Sequence, residues 1–156
     1  MTDVRYSSRK SRIASRESRI SEALKRWTGG HLPILLILLV GAGLRFYRLD
    51  AQSFWNDEGN SARLVERSIP LILEGAAGDI HPPGYYLLLH LWRAVAGASE
   101  FALRTYSALV GVLTVAVTTR IGHQTGRRAR ARLVALAAGA LVAVHPLAVY
   151  YSQEAR

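Results

Sequence analysis

Two adjacent acids, Asp57 and Glu58, are the residues of this sequence best suited to chemistry. They lie in a polar stretch that begins directly after a very apolar run, so the sequence places them beside a membrane. A carboxylate next to lipid is costly unless it is paired or has a function. One such function is general-base catalysis, in which the carboxylate takes a proton from a hydroxyl group. From these residues alone the simpler interpretation is a helix start, where the helix dipole stabilises acids.

The polar stretch is predicted to contain short helices. Asn56 is a good N-cap for a helix from Asp57 to about Arg67, and Pro70 breaks the helical pattern soon after. The small residues 75–78 favour a loop that leads to His81. Because His81 precedes two prolines, it can also be a simple turn residue at the start of the next helix.

The run from Pro82 to Gly97 is apolar but too short to span a membrane. Its hydrophobic side chains recur at helical spacing, which predicts a helix lying in the interface with an apolar face formed by Tyr85, Leu88, Leu89, Trp92 and Val95.

Three other runs, at about 29–47, 101–122 and 133–150, are predicted to cross the membrane. The basic loop at 127–132 carries four arginines and should face the cytoplasm. The N-terminus then lies in the cytoplasm, and the loop 48–100 and the segment after residue 150 share the outer side. A cleaved signal peptide is the alternative for the first run. The sequence therefore predicts an all-α, multi-pass protein of the plasma membrane, with interfacial helices in a large first outer loop.

The charge distribution supports this class. Half of the residues are hydrophobic, yet the net charge is +9. Residues 1–30 carry eight Lys/Arg against three acids, whereas residues 46–100 carry four Arg against seven acids. This segregation favours a disordered cytoplasmic tail at 1–30 that is attracted to anionic lipid, and no nucleic-acid partner is expected. The chain has no cysteine, which excludes disulfides and thiolate metal sites.

Several sequence blocks, taken in order, resemble the N-terminal part of the C-type superfamily of integral-membrane glycosyltransferases. The resemblance covers residues 32–156, and its blocks are LRFYRLDAQSFWNDE from Leu44, DIHPPGYYLLLHLW from Asp79, SEFALR from Ser99 and VYYSQEAR from Val149. That superfamily includes protein O-mannosyltransferases and aminoarabinose transferases acting on lipid A.

The resemblance implies transfer of a sugar from a polyprenyl-phosphate donor to an acceptor hydroxyl on the non-cytoplasmic face. It implies that Asp57 is the general base, with Glu58 beside it, and that His81 contacts the donor phosphate. Glu154 matches an acid at the outer end of the third span, and Arg63 and Arg156 are further candidates for the phosphate. The reaction needs no nucleotide site, and the one cofactor left open is a divalent metal, for which Asp57, Glu58 and His81 are weak candidate ligands.

The same family has more spans and a larger outer domain. The resemblance therefore implies a truncated multi-span fold, in which residues 31–156 need the remaining part of the enzyme and the 156-residue chain alone is inactive. The alternative is a non-catalytic membrane protein or assembly partner that keeps only this part of the fold.

Overall fold

A computed structural model describes residues 18–19, 21–22, 31–78, 82–126 and 130–155. The chain divides into two compact units, Met1–Leu36 and Ile37–Arg156. In the first unit, the described residues 18–19, 21–22 and 31–36 are helical. The predicted disorder of residues 1–30 falls mostly outside the described residues. The helices described below lie in the second unit, except that the first of them begins at His31, in the first unit.

Every regular element in the described ranges is an α-helix, as predicted for an all-α fold. In chain order these are α1 (His31–Phe46), α2 (Asn56–Leu64), α3 (Ile69–Ala77), α4 (Pro83–Ala96), α5 (Glu100–Thr125), α6 (Ala131–Val144) and α7 (Pro146–Ser152).

Within the described residues, one helix, α5, is long and apolar enough to cross a membrane. The pair α6 and α7 passes the same test only when the two are taken together, and they meet at a bend of 58°. The predicted third span at 133–150 is thus broken, and Pro146 explains why. Proline has no backbone N–H, so the carbonyl of Val142 loses its usual helical partner. The first predicted span contains α1, which is apolar but shorter.

Helices α5 and α6 pack through small residues. On α6 the buried positions recur every fourth residue, which places them on one helical face: Ala131, Ala135, Gly139 and Ala143. They meet a similar face of α5 that includes Gly111, Thr119 and Gly122. An added Cβ on Gly122 would lie 3.0 Å from the Ala135 Cα, so the two backbones approach closely there. Small residues at close helix crossings are typical of membrane helices.

A second packing unit lies at the N-terminal end of α5. Its hydrophobic core consists of Val65, Ile72, Ala76, Tyr86, Leu89, Leu103 and Ala155. Polar contacts tie α4 into it, because the Trp92 indole N–H donates to the Ala102 carbonyl at 2.8 Å and His90 Nδ1 lies 2.8 Å from the Val65 carbonyl oxygen. His90 is therefore a packed side chain.

Three local predictions need correction. Helix α2 begins at Asn56 and ends at Leu64, so Trp55 rather than Asn56 is the N-cap. Residues 75–77 form the last turn of α3 rather than a loop. The predicted apolar face of α4 is divided. Leu89 is fully buried, whereas Leu88 and Val95 are 54% and 86% exposed, because the core covers only one side of the helix.

Candidate functional site

The first turn of α2 sends its two acids to different environments. Asp57 is exposed, and Glu58 is 1% exposed. Successive side chains on a helix point about 100° apart, so one acid faces inward while its neighbour faces out. Glu58, the inward acid, also caps the start of the helix, because its Oε2 accepts a hydrogen bond from the Trp55 N–H at 3.2 Å.

Glu58 forms a buried bidentate ion pair with Arg104 of α5. Arg104 Nη2 donates to Glu58 Oε2 at 2.7 Å, and Arg104 Nε donates to Glu58 Oε1 at 2.9 Å. Arg104 is 4% exposed, so both charges are removed from water. Such parallel N–H···O bonds fix geometry as well as charge. The pair therefore anchors α2 on α5.

The ionisation of Glu58 follows from these contacts. Burial acts to raise the pKa of its carboxyl, but the hydrogen bonds from Arg104, Ala155 and Trp55 outweigh burial, and the pKa is lowered from its usual value. Glu58 is thus a carboxylate at neutral pH. Its two oxygens are occupied by donors from three parts of the chain, which leaves it poorly placed to accept a substrate proton.

Arg104 also organises the chain that precedes α2. Its remaining donors meet backbone carbonyls of Leu49 at 3.0 Å, Gln52 at 2.6 Å and Ser53 at 3.3 Å. The guanidinium lies 5.3 Å from the centre of the Phe54 ring. One arginine thus holds the segment between α1 and α2 in place.

The residues after α7 contact Glu58 and the end of α1. The Ala155 N–H donates to Glu58 Oε1 at 2.8 Å, across 97 residues of sequence. The Gln153 amide donates to carbonyls at the end of α1, those of Leu44 and Tyr47 each at 3.0 Å. These bonds supply partners to carbonyls that a helix end leaves unsatisfied.

A second buried arginine, Arg45, supports the bend between α6 and α7. It donates to the Val142 carbonyl at 3.1 Å and to the Ala143 carbonyl at 3.0 Å, so it replaces the N–H that Pro146 lacks. Its Nε donates to Ser152 Oγ at 3.2 Å. An added Cβ on Gly111 would lie 2.7 Å from that Nε, so this face of α5 requires glycine.

Two cavities open where the end of α1, the start of α2 and the end of α7 meet. The larger has a volume of about 450 Å³, and its polar lining includes Arg48, Gln52, Glu58, Arg104, Gln153 and Glu154. The smaller, of about 280 Å³, contains Asp57. Trp55, Glu58, Tyr150 and Glu154 line both cavities, so the two adjoin. The arrangement offers carboxylates, arginine side chains and aromatic residues around two adjoining cavities.

The structure brings together three of the six predicted site residues. Asp57, Glu58 and Glu154 line the smaller cavity, as the predicted topology requires. Arg63 is exposed on α2 and lines neither cavity. The remaining two, His81 and Arg156, lie outside the described residues.

The metal prediction has limited support. Among the residues that the structure describes, no group of three His, Asp or Glu side chains is close enough to hold a metal ion. His81, one of the three proposed ligands, is not among them.

Sequence reasoning misses the two buried arginines. The apolar runs mark Arg104 and Arg45 only as charges near the ends of predicted spans. A signal exists in the sequence, because an arginine next to lipid needs partners and marks a polar site. Arg48, Gln52 and Gln153 carry no such signal, because polar residues outside an apolar run are ordinary.

Comparisons with models of protein families, with curated proteins and with solved structures found no match. The family resemblance of the quoted sequence blocks therefore stays a prediction, and the function rests on the geometry of the site.

Proposed function

We propose that this chain belongs to a membrane glycosyltransferase that uses a polyprenyl-phosphate sugar, with Asp57 as general base. The observation that carries the proposal is the shared cavity of Asp57 and Glu154. These acids lie 97 residues apart, and the buried Glu58–Arg104 pair fixes the wall between them. The cavity opens at the same end of α5 as Arg104, beside the helix that is long enough to cross a membrane.

The chemistry follows from the exposed acid. Asp57 would take the proton of the acceptor hydroxyl while the hydroxyl oxygen attacks the anomeric carbon of the sugar. The bond between that carbon and the phosphate oxygen breaks, and the polyprenyl phosphate leaves as an anion. Trp55 and Tyr150 line the cavity and are 61% and 50% exposed, and aromatic rings of this kind can pack against the apolar side of a sugar ring.

The proposed membrane arrangement has α1, α5 and the bent pair α6–α7 as the three crossings. Support comes from the exposed apolar surface of α5, where Leu109, Val110, Leu113, Val117 and Ile121 are each more than 40% exposed. Exposure of such a surface to water would be unfavourable, whereas in a membrane these side chains would contact lipid tails that are equally apolar. The cavity would then lie on the non-cytoplasmic side, and 127–132 on the cytoplasmic side.

A non-catalytic role is the second candidate. Glu58 favours it, because both oxygens of this carboxylate serve the fold. The acid pair would then exist to assemble the outer helices on α5, and the chain would present them to a partner.

The test is transfer of label from a radiolabelled polyprenyl-phosphate sugar in isolated membranes. Membranes from cells that carry the gene should show transfer that is absent when the gene is deleted. Identical labelling in the two preparations would favour the assembly role.

The topology can be tested independently of activity. The chain has no cysteine, so single cysteines report cleanly. Asn60 and Gln124 are exposed positions on α2 and near the end of α5. With an impermeant thiol reagent on intact cells, Asn60→Cys should be labelled and Gln124→Cys should not. After permeabilisation both should react. Labelling of Gln124→Cys from outside would contradict the proposed orientation.

A further inference from the structure

Arg48 adopts an unusual backbone conformation. It lies in the turn after α1 with a φ of 54°, in the left-handed region. Glycine is the usual residue at such a position after a helix, because a side chain there costs about 1–2 kcal/mol. Arginine is thus a poor choice for the fold. A backbone outlier of this kind points to a use for the side chain.

The side chain of Arg48 is exposed and lines the larger cavity. The other arginine in that lining, Arg104, is committed to Glu58 and to backbone carbonyls. Among the described residues, no acid forms an ion pair with the Arg48 guanidinium. The larger cavity therefore contains a cation whose charge is available to a ligand.

We propose that Arg48 is the anion-binding end of the larger cavity and that it binds a phosphoryl group. Guanidinium matches phosphate with two parallel hydrogen bonds. The identification of that group as the donor's phosphate rests on the proposed function. It places the phosphate in the larger cavity and the acceptor hydroxyl at Asp57 in the smaller one. The sugar lies where Trp55, Tyr150 and Glu154 border both.

Binding to the purified protein in a non-ionic detergent tests the proposal. Titration calorimetry would compare farnesyl phosphate, inorganic phosphate and farnesol. Farnesyl phosphate should bind, and farnesol should bind more weakly or not at all. Arg48→Gln should weaken binding of farnesyl phosphate by about 10- to 100-fold, the loss expected for a charge-assisted hydrogen bond. Arg48→Lys should retain part of the affinity. Arg67→Gln is the matched control, because Arg67 is exposed and lines neither cavity.

Arg48→Gly gives a signature that a structural role cannot produce. Glycine removes the left-handed strain, so the melting temperature should rise by about 2–8 °C. Binding of farnesyl phosphate should nevertheless fall as in Arg48→Gln. A residue that only shaped the turn would show unchanged binding in the stabilised variant, and that result would overturn the proposal.

The remaining outcomes separate this inference from the proposed function. Arg48-dependent binding of both phosphates would show a general phosphate site. Arg48-dependent binding of farnesyl phosphate alone would show a site for a lipid-linked phosphate. Either result supports the anion site even if membranes show no sugar transfer. Wild-type protein that binds neither phosphate would overturn it, and gene-dependent transfer would then leave the proposed function standing.

Discussion

Replacing Asp57 by asparagine should lower the turnover of sugar transfer by about 10²- to 10⁴-fold, the usual contribution of a positioned general base. Asparagine keeps the size of the side chain and its position in the first turn of α2, but it cannot accept the proton. Asp57 is exposed at the smaller cavity, so its replacement does not place a new polar group in the buried core. Loss of its charge near the helix start should cost only about 0.3–1 kcal/mol of stability.

The measurement is transfer from a radiolabelled polyprenyl-phosphate sugar, in membranes from cells that carry the substitution in the chromosomal gene. Asp50→Asn is the matched control, since Asp50 is an exposed acid of the same segment that lines neither cavity. Glu154→Gln should give an intermediate loss, because Glu154 lines both cavities. Normal turnover in Asp57→Asn, with transfer that still depends on the gene, would remove Asp57 from the chemistry.

In the proposed mechanism the two adjacent acids have different roles. Glu58 holds Arg104 and the Ala155 N–H, which fixes the start of α2 against α5 and against the segment after α7. Asp57, one residue earlier, is left at the cavity. A rigid neighbour of this kind is what a catalytic side chain needs, because general-base catalysis depends on placement as well as on basicity.

The sequence predicted the elements better than their contacts. Hydrophobic runs and helix signals located α4 and α5, and they placed the start of α2 at Asp57, next to its observed start at Asn56, since these features depend on neighbours within a few residues. The topology argument also placed Glu154 on the same side of the membrane as Asp57, and the two line one cavity. It could not reveal that Glu58 pairs with Arg104, because that contact joins residues 46 apart and no local pattern encodes it.

The break in the last apolar run illustrates the same limit. Pro146 is visible in the sequence, but the bend of 58° is stable here because Arg45 supplies donors to the freed carbonyls from 98 residues away. A proline within an apolar helix predicts a kink, but it does not show which group will bond to the carbonyls that the proline frees. The partner depends on Gly111, whose missing side chain gives Arg45 and Ser152 their space.

Replacing Arg104 by methionine should destabilise the protein by about 3–5 kcal/mol, because it leaves the Glu58 carboxylate buried without its cation. The carbonyls of Leu49, Gln52 and Ser53 lose their donor in the same step. Unfolding in detergent micelles, followed by circular dichroism, measures the loss. Arg120→Met is the matched control, since Arg120 lies exposed on the same helix and its replacement should change stability by less than about 0.5 kcal/mol.

A double-mutant cycle separates the ion pair from the carbonyl contacts. Glu58→Gln alone removes the buried negative charge but leaves Arg104 buried, so it should also be destabilising. The double variant Glu58→Gln/Arg104→Met should lose less than the sum of the two single losses, because neither charge is left without its partner. The shortfall is the coupling energy of the pair. Additive losses in the free energy of unfolding would show that Arg104 stabilises the protein through the backbone carbonyls. The Glu58–Arg104 ion pair would then not be what fixes α2 and positions Asp57.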